Sequence, residues 1–274
     1  MPINYLQKIQ QAEFNDTGYR ISPSPELTSI IEGFYVFKKE AVQQRHLIFN
    51  DGFPAIVFLP KYRDTASVIA ANSTTHIQGA WVNGGAIKNT YVEYNHIDQL
   101  FIVRFHPKAF YQLFTINTQY FRHQAVVPFE HLAQKNGFAV QDFFTCNTIK
   151  EKTIFIENHI RHVVKEPQSQ DELRATLMYM QRAQGTDTVS TLIRNTGVNY
   201  KWLERFFIKN IGLLPKEYIQ MHRFLEAHRI LTSSGTPNLM NVAVSTGYYD
   251  ANHFLKDFKL YTGKTPLAYH RLYM

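Results

Sequence analysis

Two periodicities of apolar positions divide the chain. Up to about Phe105 the apolar residues come in short runs, at 30–37, 45–49, 55–59, 66–70, 76–82, 91–94 and 100–105. The runs are rich in β-branched and aromatic side chains, and turn residues such as Asp51-Gly52 and Asn83-Gly84-Gly85 separate them. Short strands recurring about every ten residues predict an antiparallel β-barrel or sandwich. Pro107 then opens a helix with the apolar face Phe110, Leu113, Phe114 and Ile116.

Further on, the apolar spacing changes to three and four. Residues 129–135 predict a short helix ending near Gly137. Phe143, Cys146, Ile149, Thr153, Ile156, Ile160 and Val163 predict one long helix over 140–164, readable either as a cover for the sheets or as a dimer seam. A polar stretch with Pro167, residues 165–170, marks a boundary, and 171–182 predict the first helix beyond it. The expected organisation is a β-rich domain over 1–127, connecting helices and linker over 128–169, and an all-α domain over 170–274, an α+β chain of two domains.

Within the all-α domain a single pattern occurs twice. Leu192, Gly197, Leu203, Phe207, Gly212, Pro215 and Tyr218 are matched by Val242, Gly247, Phe254, Phe258, Gly263, Pro266 and Tyr269. The offset is 50 residues up to the first glycine and 51 after it. A repeat of this length predicts one supersecondary unit used twice. Each copy reads as a short helix, a glycine turn, a capping residue (Asn199 or Asp250) and a second helix with a polar outer face, which is a helix-turn-helix. Between the copies, 216–232 predict a longer helix with Tyr218, Met221, Phe224, Leu225, His228 and Leu231 on its apolar side.

The double unit resembles the DNA-binding domain of the AraC/XylS family of bacterial transcription regulators over about the last 85 residues. The carriers are Gly247-Tyr248-Tyr249-Asp250, Asn252-His253-Phe254, Phe258-Lys259, Gly263, Pro266, Tyr269 and Arg271, and in the first copy Leu203, Arg205, Phe207, Gly212, Pro215, Tyr218, Arg223 and Ala227. Ile193, Asn199 and Tyr248 depart from the family's usual alanine, serine and phenylalanine. Position by position, the resemblance implies base-facing residues at Tyr200, Lys201, Glu204 and Arg205, and at Ala251, Asn252, Leu255 and Lys256. Arg205 and Lys256 have the donors for guanine, Asn252 suits adenine, Glu204 can accept from cytosine, and Ala251 and Leu255 can touch a thymine methyl. Trp202 lies on the same helix, either in its core or among the DNA contacts.

The β-rich domain resembles, more loosely, the cupin-like sensor domains that accompany such readers, through residues 46–58 and Arg104-Phe105-His106-Pro107. That resemblance implies a pocket for a small-molecule effector, with His46, His76, Trp81, Tyr94 and Arg104 as the polar and aromatic candidates on strands.

Charge supports the assignment of roles. The net charge is +7, and residues 170–274 carry 13 Lys and Arg against 8 Asp and Glu, while 1–169 carry 16 against 14. The excess sits on the reader, as phosphate contacts require. A single cysteine, Cys146, excludes an internal disulfide or a cysteine-based zinc cluster, and its place on an apolar face predicts a buried small hydrophobe. No tight pair of histidines with a downstream carboxylate, paired acids, nucleophile elbow or phosphate-cradling loop occurs. No metal, no cofactor and no enzyme activity are therefore expected. The alternative is an enzyme with a cupin-like barrel and a DNA-binding tail; its repair form needs a reactive cysteine, for which Cys146 has no setting. Residues 1–14 lack an apolar signal region and no apolar run approaches 18 residues, so the expected location is the cytoplasm, with no membrane partner. Expected partners are double-stranded DNA, a small-molecule effector and, for an activator, RNA polymerase. A homodimer is left open.

Overall fold

The alternating segments form two antiparallel sheets in the computed structural model, which describes residues 1–14, 16–38, 45–71, 73–94, 97–121, 124–164, 189–233 and 238–273. The chain separates into two compact units, Met1–Ile87 with Tyr91–Ser169, and Lys88–Thr90 with Gln170–Met274.

In the first unit, a six-stranded sheet runs in the order β1 (Gly18–Ile21), β2 (Ile31–Lys38), β9 (Gln99–Phe105), β4 (Ala55–Phe58), β7 (Ala80–Asn83) and β10 (Val126–Pro128). A four-stranded sheet runs β3 (Arg45–Leu47), β8 (Tyr91–Glu93), β5 (Thr65–Ala70) and β6 (Ser73–Gln78). Among the described residues neither sheet closes on itself, so of the two expected forms the open sheets match the sandwich rather than the barrel. Residues 76–82 are not the single expected strand. The chain leaves one sheet at Gln78 and enters the other at Ala80, turning at Gly79 with φ +70°, where Tyr62 O and the Phe144 ring would lie 3.2 Å from an added Cβ. Glycine meets both demands at once.

Register sorts the side chains of the larger sheet. Phe34, Val36, Ile56, Phe58, Val82, Phe101, Val103 and Phe105 share one face, because paired residues of antiparallel strands point the same way and successive ones alternate. They form one core with Phe110 and Phe114 at helix α2 (Pro107–Leu113), Leu132 of α3 (Glu130–Lys135), Phe143 of α4 (Val140–Thr145), and Ile156 and Ile160 of α5 (Ile149–Val163). The opposite face carries Tyr35, Ile102, Val57 and Trp81 in one row and Gly33, Arg104, Ala55 and Asn83 in the next. The Tyr5 ring of α1 (Ile3–Gln11), an element the apolar pattern did not predict, stacks on Phe37 there at 4.5 Å.

The single helix expected over 140–164 is two. Cys146 leaves helical geometry, and Thr148 restarts the chain with a capping box: its hydroxyl accepts from the Glu151 N–H at 3.2 Å while the Glu151 carboxylate accepts from the Thr148 N–H at 3.2 Å. The sequence signal is Thr148 followed three residues later by Glu151. Cys146 is consequently half-buried at the break rather than packed on a helix face. Lys152 Nζ donates to Pro60 O at 3.3 Å and lies over the Phe143 and Phe144 rings, and burial pushes its pKa down. The expected linker, 165–170, and the helix expected over 171–182 lie outside the described residues.

The second unit is helical: α6 (Val189–Thr196), α7 (Tyr200–Asn210), α8 (Pro215–Ser233), α9 (Leu239–Ser245), α10 (Ala251–Thr262) and α11 (Pro266–Tyr273). The long middle helix buries Tyr218, Met221, Phe224, Leu225, His228 and Leu231, the six positions its periodicity predicts. Phe207 meets Tyr218 edge-on at 5.5 Å, and Phe258 meets Phe224 at 5.5 Å, so each copy of the repeat packs on this one helix. His228 is fully buried beside Tyr269, with its Nε2 3.1 Å from the tyrosine hydroxyl. Burial pushes its pKa down to about 3.

This histidine gives the unit a defined acid sensitivity. The unfolded imidazole takes up a proton below about 6.5, whereas the folded one stays neutral down to about 3. Stability is therefore complete above that ordinary value and falls with pH, by about 1.4 kcal/mol per unit for this group. Urea unfolding of the full chain followed by circular dichroism at pH 7, 6 and 5 should show this loss. The His228→Gln variant, starting less stable, should lose less over the same interval; parallel losses in the two proteins would remove His228 as the cause.

Candidate nucleic-acid interface

Each second helix of the repeat, α7 and α10, starts where the sequence places a hydrogen-bond acceptor. Asn199 Oδ1 accepts from the Lys201 N–H at 2.8 Å, and Asp250 Oδ1 accepts from the His253 N–H at 2.7 Å. The glycines that precede these caps, Gly197 and Gly247, have φ of +69° and +79°, and those that close the helices, Gly212 and Gly263, have +84° and +71°. The repeat in the sequence is thus a repeat of backbone geometry: four matched turns that a side-chain-bearing residue adopts only at a cost.

What each helix buries determines what it offers. In α7, Leu203 and Phe207 are fully buried, leaving Tyr200, Lys201, Trp202 and Arg205 exposed and Glu204 half-buried. In α10, Phe254 and Phe258 are buried, Asn252 and Lys256 are exposed, and Ala251 and Leu255 are half-buried. Phe206 is only half-buried. Trp202 stacks on it at 4.5 Å while remaining 39% exposed, so the indole lies on the helix surface. Arg205 Nε donates to Lys201 O at 3.3 Å, which keeps the guanidinium along its own helix. The second helix is tied to the middle one by Gln220 Nε2 donating to Asp257 Oδ1 at 2.7 Å. Both outer faces combine cations with side chains able to bond base edges, projecting from a helix held by its opposite face.

Residues 192–272 match a family model described as a helix-turn-helix domain. They are an AraC-type helix-turn-helix domain. Residues 19–127 match a second model, described as a domain of unknown function (DUF6597). No curated protein sequence matches the chain. Among solved structures, ToxT from Vibrio cholerae aligns over 93% of this chain and 97% of its own at 13% identity, with a TM-score of 0.44. The C-terminal domain of the response regulator yesN from Fusobacterium nucleatum aligns over 37% and 99% at 22% identity, with a TM-score of 0.35. The DNA-binding domain of AdpA, in complex with a target DNA, aligns over 37% and 91% at 22% identity, with a TM-score of 0.34.

Besides the AraC-type domain, the sequence singled out five residues of the first unit. Trp81 and Arg104 lie on the same face of the larger sheet, and both are buried. His46 and Tyr94 are buried with the smaller sheet, their rings stacked at 5.1 Å, and His46 also stacks with Tyr5 at 6.5 Å. His76 stands apart from these four. It pairs with Ser67 on the exposed face of the smaller sheet, its Nδ1 3.1 Å from the serine hydroxyl.

Arg104 brings in residues that sequence reasoning missed. Its Nε lies 3.1 Å from Glu32 Oε2, its Nη2 3.1 Å from Asp51 Oδ2, and its guanidinium carbon 5.0 Å from the centre of the Phe53 ring. Burial works against the charge, and the two carboxylates outweigh it, so the guanidinium is held above its ordinary pKa. In the sequence, Asp51 and Asn83 read only as turn punctuation. The available signal is Arg104 itself: an arginine inside an apolar strand requires buried counter-charge.

Cys146 has a thiol pKa raised by partial burial and by the Glu151 carboxylate, which disfavours the thiolate a nucleophile needs. Among the described residues no group of three or more His, Cys, Asp or Glu side chains could hold a metal ion, and no helix is long and apolar enough to cross a membrane.

The caps offer a direct test of how the readers are held. Asp250→Ala and Asn199→Ala each remove the side-chain acceptor of one N–H at a helix start and should lower stability by about 1 kcal/mol in chemical denaturation, with the helical signal retained at 25 °C. A change within error at both positions would show that packing alone fixes these helices.

Proposed function

We propose that this DNA-binding transcription regulator reads double-stranded DNA with α7 and α10 in successive major grooves, and that its first unit senses a small-molecule effector. The observation that carries the reading is the duplicated arrangement: two capped helices, each buried on one face against α8, each exposing cations and base-matching side chains on the other. Two readers on one protomer fit contacts centred about one helical turn, roughly 34 Å, apart along the duplex. The contact residues are Tyr200, Lys201, Trp202, Glu204 and Arg205 in the first helix, and Ala251, Asn252, Leu255 and Lys256 in the second. The cationic excess of the second unit supports affinity for the backbone, and the mixture of Glu204, Asn252 and apolar Ala251 with the cations supports base choice. The AraC-type domain needs an input to regulate, and the first unit has buried polar side chains as effector candidates: Trp81 and Arg104 on the larger sheet, and His46 with Tyr94 beside the smaller one. In this reading a protomer is sufficient to bind, and a homodimer or contact with RNA polymerase would add to the output rather than to the recognition.

Selection of binding sites from fragmented genomic DNA, with the full chain at near-physiological salt, should enrich loci that share two short boxes about 10 base pairs apart. Failure to enrich any sequence would replace the proposal with a non-specific binder. On a selected site, Arg205→Ala and Lys256→Ala should each cost about 1 to 3 kcal/mol and relax the preference at one base position. Equal losses on the selected site and on random DNA would reassign both residues to phosphate contact.

A further inference from the structure

The inner face of the larger sheet carries more hydrogen-bond donors than its neighbours accept. Gly33, Arg104, Ala55 and Asn83 form one row across four strands, and Trp81 follows two residues before Asn83 on the same face. Asn83 and Trp81 are completely buried and Arg104 is 3% exposed. Arg104 Nη1, Asn83 Nδ2 and Trp81 Nε1 all lie below the surface with no acceptor among the described residues. The acceptor of Asn83 is in use, receiving the Met1 amine at 2.8 Å, and the other guanidinium nitrogens face Glu32 and Asp51. A buried donor left without an acceptor carries its full desolvation cost, so three on one face of one sheet is an arrangement that a bound acceptor would repay.

The charge at this face selects among acceptors. One guanidinium is already matched by two carboxylates, those of Asp51 and Glu32. An added anion would bring a further negative charge into a buried site whose cationic groups, the Arg104 guanidinium and the Met1 amine, already stand beside two carboxylates. A neutral oxygen acceptor meets no such penalty. The surroundings are aromatic: Tyr35 and Trp81 lie in the adjoining row. They suit a flat apolar body; the Tyr35 ring lies over Gly33, and the small Ala55 stands on the other side of Arg104.

We infer that the effector is an uncharged small molecule with one or more carbonyl-type oxygens on a ring-sized apolar body, its oxygens accepting from Arg104, Asn83 and Trp81. This rests on the first unit being the sensor. The ligand class can nevertheless be tested without reference to DNA.

The chain has two tryptophans, Trp81 and Trp202, so in a Trp202→Phe background the only indole N–H signal in a nitrogen-15 correlation spectrum belongs to Trp81. The probes are caprolactam and cyclohexanone as neutral ring carbonyls, and cyclohexane carboxylate as an anion of similar size. The neutral carbonyls should move the Trp81 indole signal downfield saturably at millimolar concentration, and the carboxylate should bind at least tenfold more weakly. Asn83→Leu should weaken the neutral probes about tenfold, with other spectral changes confined to the neighbourhood of Asn83 and the Met1 amine it accepts from. The proposal is overturned if no neutral carbonyl shifts the signal, if the carboxylate binds as well, or if the indole proton instead exchanges magnetisation with a long-lived internal water while ignoring every probe. DNA affinity of the unsubstituted chain is then measured with and without the binding probe. Binding at Trp81 with no change in DNA affinity would keep the ligand class and remove the sensor role, so the two failures are separable.

Discussion

Helix Pro215–Ser233 is the element of the second unit on which the rest depends. Its 19 residues span about 28 Å, and each copy of the helix-turn-helix closes on it through an aromatic contact: Phe207 on Tyr218, and Phe258 on Phe224 with Tyr269 against His228. A fully buried aromatic side chain contributes about 2 to 3 kcal/mol, so these few rings supply much of the margin by which a domain of this size is folded. The same contacts set orientation. Once Leu203 and Phe207 face inward on one helix, and Phe254 and Phe258 on the other, the 3.6-residue period leaves no choice about which side chains face outward. Recognition chemistry is in this sense the remainder left by packing, and the neutrality of His228 belongs to the same core.

That dependence explains what could be read without a structure. The second unit was legible in detail because its periodicity, caps and turn glycines are local and mutually consistent: Asn199, Asp250, Gly197 and Gly247 each signal one backbone event within a few residues. The exposed set followed from the buried set. Trp202 and Phe206 were the exceptions, because whether an aromatic at helical spacing is covered depends on a neighbouring element that the helix's own pattern does not contain; here the two rings cover one another. Thr148 with Glu151 shows a different kind of miss. The helix break it marks was encoded locally, but the apolar spacing on either side happened to stay in phase across it and so masked the signal.

The first unit was legible as strands and much less as a site. Strand pairing joins residues far apart in sequence, so the rows across the sheet, Gly33 with Arg104, Ala55 and Asn83, have no local signature. His76 illustrates the cost. In a run read as one strand it had no assigned face; the turn at Gly79 divides that run between two sheets and puts His76 on the exposed side of one and Trp81 on the buried side of the other. Asp51 and Asn83 were hidden for the opposite reason. Their residue types already had an explanation as turn formers, and a second role inside the fold added nothing visible to the pattern.

The two units use polar side chains in opposite ways. In the helical unit the polar groups of α7 and α10 face outward from an apolar core, where they stay hydrated at little cost. In the sheet unit Arg104, Asp51 and Asn83 are turned inward, where a charge is tolerated only with its partners in place and where an unfilled donor carries its full desolvation penalty. Apolar residues of similar volume could serve a purely structural sheet at least as well as a buried ion pair. A guanidinium, two carboxylates and spare donors on an interior face carry a desolvation penalty, and under the proposed function a ligand that repays it would shift the folded ensemble by mass action. Outward polarity is what a DNA reader requires, and the inward polarity of the sheet unit is what the proposed input would require.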